Sequence, residues 1–320
     1  MQNGHSERKL LEDKQMLRLV ASLLILSTML TACGSTAGPT AGPTVKPTSG
    51  PTTDAIQTVV PPSPSPQADS PTESHEDRSK PDNKVWSLGG NGWALALGDR
   101  LLVFDYVEST DPNPPAAGEA RDLRRGYIDT KEIKDYEVYV FVTHSHPDHY
   151  DPVIYEWQDD VDDIVYFFGW EAGDSPEHHY LVGPRAETEA GSVEVYTINT
   201  RHADVPEVAF LVKVGGVWIY HSGDYMASYS EDFDFLKTIS DHIDIAFLIG
   251  WPYPDHQQFQ QAILFTELFT PEYLFASCRE GDEEKCRQFA DLLAESGVDA
   301  TIQYPARRGD VFEISRSEID

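Results

Sequence analysis

The stretch His144-Ser145-His146-Pro147-Asp148-His149-Tyr150-Asp151 puts three imidazoles and two carboxylates into eight consecutive residues. Neutral imidazole and carboxylate are the donors that suit zinc, or iron and manganese where more oxygen is present. His144 and His146, two apart in extended backbone, project to the same side and can share one ion. Pro147 ends the extended run, so Asp148 and His149 turn onto a different wall of the same pocket. A divalent cation held there lowers the pKa of bound water from about 15.7 to near 7 and stabilises a developing oxyanion. The chemistry indicated is hydrolytic attack at a carbonyl or phosphoryl centre. A solvated histidine-rich loop is the plain alternative. The apolar run from Val140 feeding straight into the histidines argues against it.

Such a cluster needs strands to aim it. Short β-type runs recur at Trp93–Leu97, Leu101–Asp105, Glu137–Thr143, Ile164–Phe168, Ser192–Ile198, Val208–Val214, Val217–His221, Ile243–Ile249 and Tyr273–Ala276, with a weak one at Val311–Ile314. Gly215-Gly216 between two of them reads as a two-residue hairpin turn. Helical patterns are fewer: a start at Pro152–Trp157, a helix over Gln257–Leu268, and the clearest at Asp282–Ser296. Strands interspersed with helices fit a layered α/β sandwich better than a helical bundle.

The segment around His144 resembles the His-x-His-x-Asp-His signature of the metallo-β-lactamase superfamily, and the likeness runs from about Gly90 through the rest of the chain. That resemblance implies an αββα four-layer sandwich with the site at one edge of its two sheets. It also implies roles for individual residues. His144, His146 and His202 would hold one metal. Asp148, His149 and a bridging Asp224, in Tyr220-His221-Ser222-Gly223-Asp224, would form a second site. Asp105 would be a hydrogen-bond partner that fixes a histidine, and His221 would be structural. Asp148 is the candidate to orient the nucleophile and move a proton to the leaving group. Zinc is the expected cofactor, as one or two ions, with iron or manganese the alternatives. The sequence departs from the family after the penultimate strand, where Tyr273–Arg279 lacks the customary last histidine. Cys278 sits closest to that position and His256 is another candidate. His178-His179 follows a Gly-Asp-Ser-Pro loop and is read as surface.

The N-terminus reads as an address. Lys9, Lys14 and Arg18 precede the apolar run Leu19–Leu30, which is too short to span a bilayer and suits a signal peptide. Leu30-Thr31-Ala32-Cys33 resembles a bacterial lipobox, which implies a signal peptide over 1–32 and lipidation of Cys33. Residues 33–83 read as a lipidated, disordered tether, since ten of the 22 prolines fall between Pro39 and Pro81 among Thr, Ser and Gly. The folded domain is then 84–320.

A formal charge of −30 repels nucleic acid and anionic headgroups, and no cluster of basic residues offsets it. Removing residues 1–32 subtracts four basic and three acidic groups, so the remainder carries 20 − 51 = −31. Lipid rather than charge would hold the protein to the outer side of the cell membrane. On that oxidising side Cys278 and Cys286, the cysteines left after Cys33, would pair as a disulfide, with Gly281 turning the chain and Asp282 capping the following helix. A Cys278 metal ligand and two free thiols are the alternatives. The expected partner is a small-molecule substrate, a lactone, ester, amide or phosphodiester. Walls for it would come from Val107–Asp129, Trp170–Glu187 and Trp251–His256. A non-catalytic binding protein with at most one metal is the competing function.

Overall fold

The computed structural model describes residues 83–173, 175–225 and 230–315. The signal peptide, Cys33 and nearly all of the tether lie outside them. Among the described residues no helix is long and apolar enough to cross a membrane.

Two seven-stranded sheets form the centre. The first contains β1 (Lys84–Ser87), β2 (Trp93–Leu97), β3 (Arg100–Phe104), β4 (Glu137–Val142), β5 (Ile164–Phe168), β6 (His179–Leu181) and β14 (Val311–Glu313), in the order β14-β1-β2-β3-β4-β5-β6. The second holds β7 (Glu187–Ala190), β8 (Val193–Asn199), β9 (Val208–Val214), β10 (Val217–His221), β11 (Ile245–Ile249), β12 (Tyr273–Ser277) and β13 (Thr301–Gln303), in the order β13-β12-β11-β10-β9-β8-β7. β3 to β6 run parallel, as do β10 to β13. Gly215 and Gly216 both take positive φ, which a two-residue type I′ hairpin between β9 and β10 requires.

Strands buried on both faces read as nearly continuous apolar runs, and β2, β9 and β11 do so. Between the sheets Phe104 stacks on Phe141 at 4.9 Å and Phe141 on Phe167 at 4.9 Å, while Phe210 meets Phe141 edge-on at 5.3 Å. The outer face of the second sheet is covered by α2 (Ser230–Ile239), α3 (Gln257–Phe269) and α4 (Glu283–Glu295), through Phe233, Phe265 and Phe289. The outer face of the first sheet carries a thinner layer, with α1 (Thr130–Ile133) and a 3-10 helix over Pro152–Asp159 placing Ile133, Ile154 and Trp157 on it. The order helix, sheet, sheet, helix is the αββα sandwich.

Cys278, just beyond β12, is joined by a disulfide to Cys286 in α4. The Asp282 side chain makes no helix-capping bond and instead pairs with Lys285 at 2.7 Å. Alkylation without reduction should therefore leave both cysteines unmodified by mass. Cys286→Ser should lower unfolding stability by about 2–3 kcal/mol, the chain-entropy value for so short a loop. Two alkylated thiols in the unreduced protein would contradict this.

Candidate metal centre

β4 delivers the histidines. Thr143 and His144 follow directly from it and are fully buried. The backbone then folds into one tight turn, with the His149 and Tyr150 N–H groups donating to the His146 carbonyl at 3.0 and 2.9 Å. Pro147 opens that turn, where its missing N–H costs nothing. The turn brings His149 back beneath His144, their ring centres 4.1 Å apart, and sends Asp148 outward. From the second sheet, the loop after β8 supplies His202 and the loop after β10 supplies Asp224.

Two groups of donors converge. His144, His146 and His202 form one; His144, His149 and Asp224 form the other. His144 Nε2 and His146 Nδ1 face each other at 3.1 Å. His149 Nε2 lies 3.2 Å from Asp224 Oδ1, and His202 Nε2 lies 3.9 Å from Asp224 Oδ2. Asp148 belongs to neither group, and its carboxylate faces Arg279 at 3.5 Å. His256 is also outside, since its Nδ1 accepts from the Gln258 N–H and caps α3. Cys278 is tied in the disulfide. His178 and His179 lie away from the cluster, with His179 in β6 bonded to the Pro176 carbonyl at 2.7 Å.

Buried carboxylates fix the rings. Asp105 sits after β3 in left-handed backbone, φ 44°. Its Oδ1 accepts the Thr143 N–H at 2.7 Å, while Oδ2 accepts the Thr143 hydroxyl and His149 Nδ1–H, both at 2.8 Å. His149 Nε2 is thereby the ring nitrogen aimed at the cluster, where it faces Asp224. Glu207, just ahead of β9 and 2% exposed, holds His144 together with the Thr143 hydroxyl, its Oε1 lying 3.2 Å and the hydroxyl 3.0 Å from Nδ1. It also accepts the Asp224 N–H at 2.6 Å and the Thr200 hydroxyl. The sequence reading missed Glu207, and the only sign of it was an acidic residue directly ahead of an apolar strand. His221 is structural: it stacks on Phe104 at 5.0 Å and bonds the Asn91 carbonyl at 3.1 Å.

The electrostatics suit a cation. Burial alone would raise the Asp105 carboxyl, but His149, His221 and His144 hold it below its ordinary value. Burial opposes Asp224 likewise, yet His149, His144 and His202 hold it down to about 2. Burial and the facing rings of His144 and His202 depress His146, which keeps its lone pair free. His149 goes the other way: burial would lower it, but Asp105 and Asp224 push it well up. Four imidazoles and one carboxylate facing a common region, with no Lys or Arg among them, fit a divalent metal ion, which would displace the proton that Asp105 and Asp224 favour on His149.

These directions set the pH behaviour of the metal-free protein. Asp105 and Asp224, depressed on folding, contribute stability above about pH 4 that is lost as pH falls through their folded values. His149, raised on folding, contributes stability below about pH 6.5 that is lost as pH rises through its folded value. His146 and His221, depressed on folding, oppose His149 by contributing stability that is lost as pH falls below about 6.5. After chelation the melting temperature should therefore fall steeply as pH drops from about 4 through the folded values of Asp105 and Asp224. A thermal-melt series from about pH 2 to 7 checks this, and a maximum at or below about pH 3 would contradict it.

Fold and site together define a member of the β-lactamase superfamily. The chain belongs to it: the family described as beta-lactamase superfamily domain matches residues 84–248, just over half of the sequence. Among solved structures, Igni18, a metallo hydrolase from Ignicoccus hospitalis, superposes with a TM-score of 0.51 at 15% identity, over 73% of this chain and 100% of its own. YhfI of Bacillus subtilis, a metallo-beta-lactamase fold protein, gives 0.50 at 16% identity over 73% and 100%. CmlA, a diiron beta-hydroxylase from Streptomyces venezuelae, gives 0.52 at 12% identity over 73% of this chain and 55% of its own. No curated protein matches the sequence. At these identities the likeness is one of fold.

Proposed function

We propose that this chain is a metal-dependent hydrolase acting on a carbonyl or phosphoryl centre of a small molecule. The observation that carries the reading is the convergence of His144, His146 and His202 with His149 and Asp224 at the sandwich edge of a metallo-hydrolase fold. His144, His146 and His202 would hold one ion, zinc by its donor set, with iron or manganese competing where oxygen donors join. When bound, the metal supplies Lewis acidity and a nucleophile at neutral pH. Asp105 and Glu207 hold the rings of His149 and His144 in one tautomer. Asp148, partly exposed and 3.5 Å from Arg279, would orient the nucleophile and hand a proton to the leaving group once it is released from that contact.

A second reading, a binding protein with at most one metal, is favoured by the engagement of Asp148 with Arg279 and of Cys278 with Cys286. A panel of lactones, esters, amides and phosphodiesters assayed before and after chelation separates the two. Turnover that disappears on chelation, returns with zinc and is abolished in His146→Ala supports the enzyme. Bound metal without turnover of any class supports the binder.

We also propose that lipid on Cys33 tethers the domain outside the cytoplasmic membrane. Cys33→Ser should move the protein to the soluble fraction or stall its processing. An unchanged membrane fraction would refute the tether.

A further inference from the structure

Asn91 lies in the short loop joining β1 to β2, and it is 2% exposed. Gly89 and Gly90 take positive φ, and the Gly92 N–H returns to the Gly89 carbonyl at 2.9 Å. A side chain at Gly92 would sit 3.0 Å from the Gly89 carbonyl and 3.1 Å from that of Asp105. This tight loop presses the Asn91 carboxamide against the cluster, with Nδ2 2.9 Å from His149 Nε2. Its Oδ1 is buried and has no hydrogen-bond partner.

An orphaned buried carbonyl costs about 1–3 kcal/mol, so a native site that keeps one has a use for it. His149 Nδ1 is committed to Asp105, so Nε2 is the nitrogen that a cation entering beside Asp224 would take in exchange for its proton. An ion bound there has no use for an N–H donor at 2.9 Å. A half-turn of the carboxamide exchanges nitrogen and oxygen without changing its shape and points the oxygen at that place. At the end of β12 the other polar groups are engaged elsewhere. Ser277 accepts from the Trp93 indole at 2.8 Å, Cys278 is in the disulfide, and Arg279 faces Asp148.

We propose that the Asn91 carboxamide oxygen is a ligand of a second metal ion held with His149 and Asp224, so that this loop completes a dinuclear centre. The inference rests on reading the histidine cluster as a metal centre. Two oxygens among three donors make this second site the more tolerant of manganese.

The test is zinc titration of the chelator-stripped full-length protein by calorimetry. Wild type should take up two ions per chain. Asn91→Leu should keep the first with unchanged affinity and weaken the second at least about tenfold. Asn91→Asp, which supplies a charged oxygen in the same shape, should bind the second at least about threefold more tightly than wild type, and it decides the matter if Asn91→Leu does not fold. One ion in wild type, unchanged two-ion binding in Asn91→Leu, or a second ion no tighter in Asn91→Asp overturns the proposal and leaves the first site standing. No zinc bound at all overturns both this proposal and the metal-centre reading.

Discussion

Glu207→Ala is expected to weaken metal binding by about 10–100-fold and to destabilise the protein by about 3–5 kcal/mol. Both effects follow from where its two oxygens go. Oε1 serves His144 Nδ1 and the Asp224 backbone N–H, and Oε2 serves the Thr200 hydroxyl. Alanine leaves the Asp224 N–H and the Thr200 hydroxyl without this acceptor and leaves His144 Nδ1 only the Thr143 hydroxyl at 3.0 Å, so the direction of Nε2 is held less firmly. The loop carrying Asp224 loses its anchor in the same step. Glu207→Gln keeps the volume and one acceptor oxygen, so its losses should be smaller. Denaturant unfolding with and without chelator, beside competition for zinc against a coloured indicator, would measure the two quantities. Wild-type zinc affinity in Glu207→Ala would show that His144 is oriented by something else.

Gly169→Ala should cost about 3 kcal/mol and impair the metal centre from a position that touches no ligand. Gly169 follows β5, and its N–H donates to the Val142 carbonyl at 2.9 Å. An added methyl would lie 2.1 Å from the Thr143 carbonyl oxygen and 2.8 Å from Val208 Cγ2. The obstacle is backbone, so no rotamer change relieves it. Either β5 moves away from β4 or Thr143 shifts, and Thr143 carries the hydrogen bonds that tie His144 and Asp105 together. A melting-temperature drop together with weaker zinc binding is the expected pair. Stability lost with zinc affinity untouched would mean that β5 yields and the metal loop does not.

Much of this was legible in the sequence where one residue type sufficed. β2, β5, β9 and β10 lie where their alternating or continuous apolar runs put them, and the two glycines at 215 and 216 turn where expected. Short, polar or one-sided elements left no such trace. β6, β7 and β13 are three or four residues with exposed positions, held by pairing rather than by composition. α2 carries Asp and Glu through its first turn and is helical because Phe233 and Leu236 find the sheet. The loop from His144 to Asp151 was readable because its donors are adjacent in sequence. Glu207 and Asn91 were not, because their work depends on the loop at 199–207 and the turn at 88–92 closing onto residues far along the chain. Asp148 shows the converse. The signature placed it among the ligands, while the turn after Pro147 directs it toward Arg279, a contact that spacing alone cannot reveal.

The donors are divided between the sheets: His144, His146 and His149 hang from the first, His202 and Asp224 from the second. A cation caught between them acts as a removable rivet. A cation that prefers the closed sandwich would add to the work of prising the layers apart, by up to about 2.7 kcal/mol at a hundredfold excess over its dissociation constant. Resistance to unfolding then becomes a gauge of how much metal the surroundings hold, and a starved copy is the one a protease opens first.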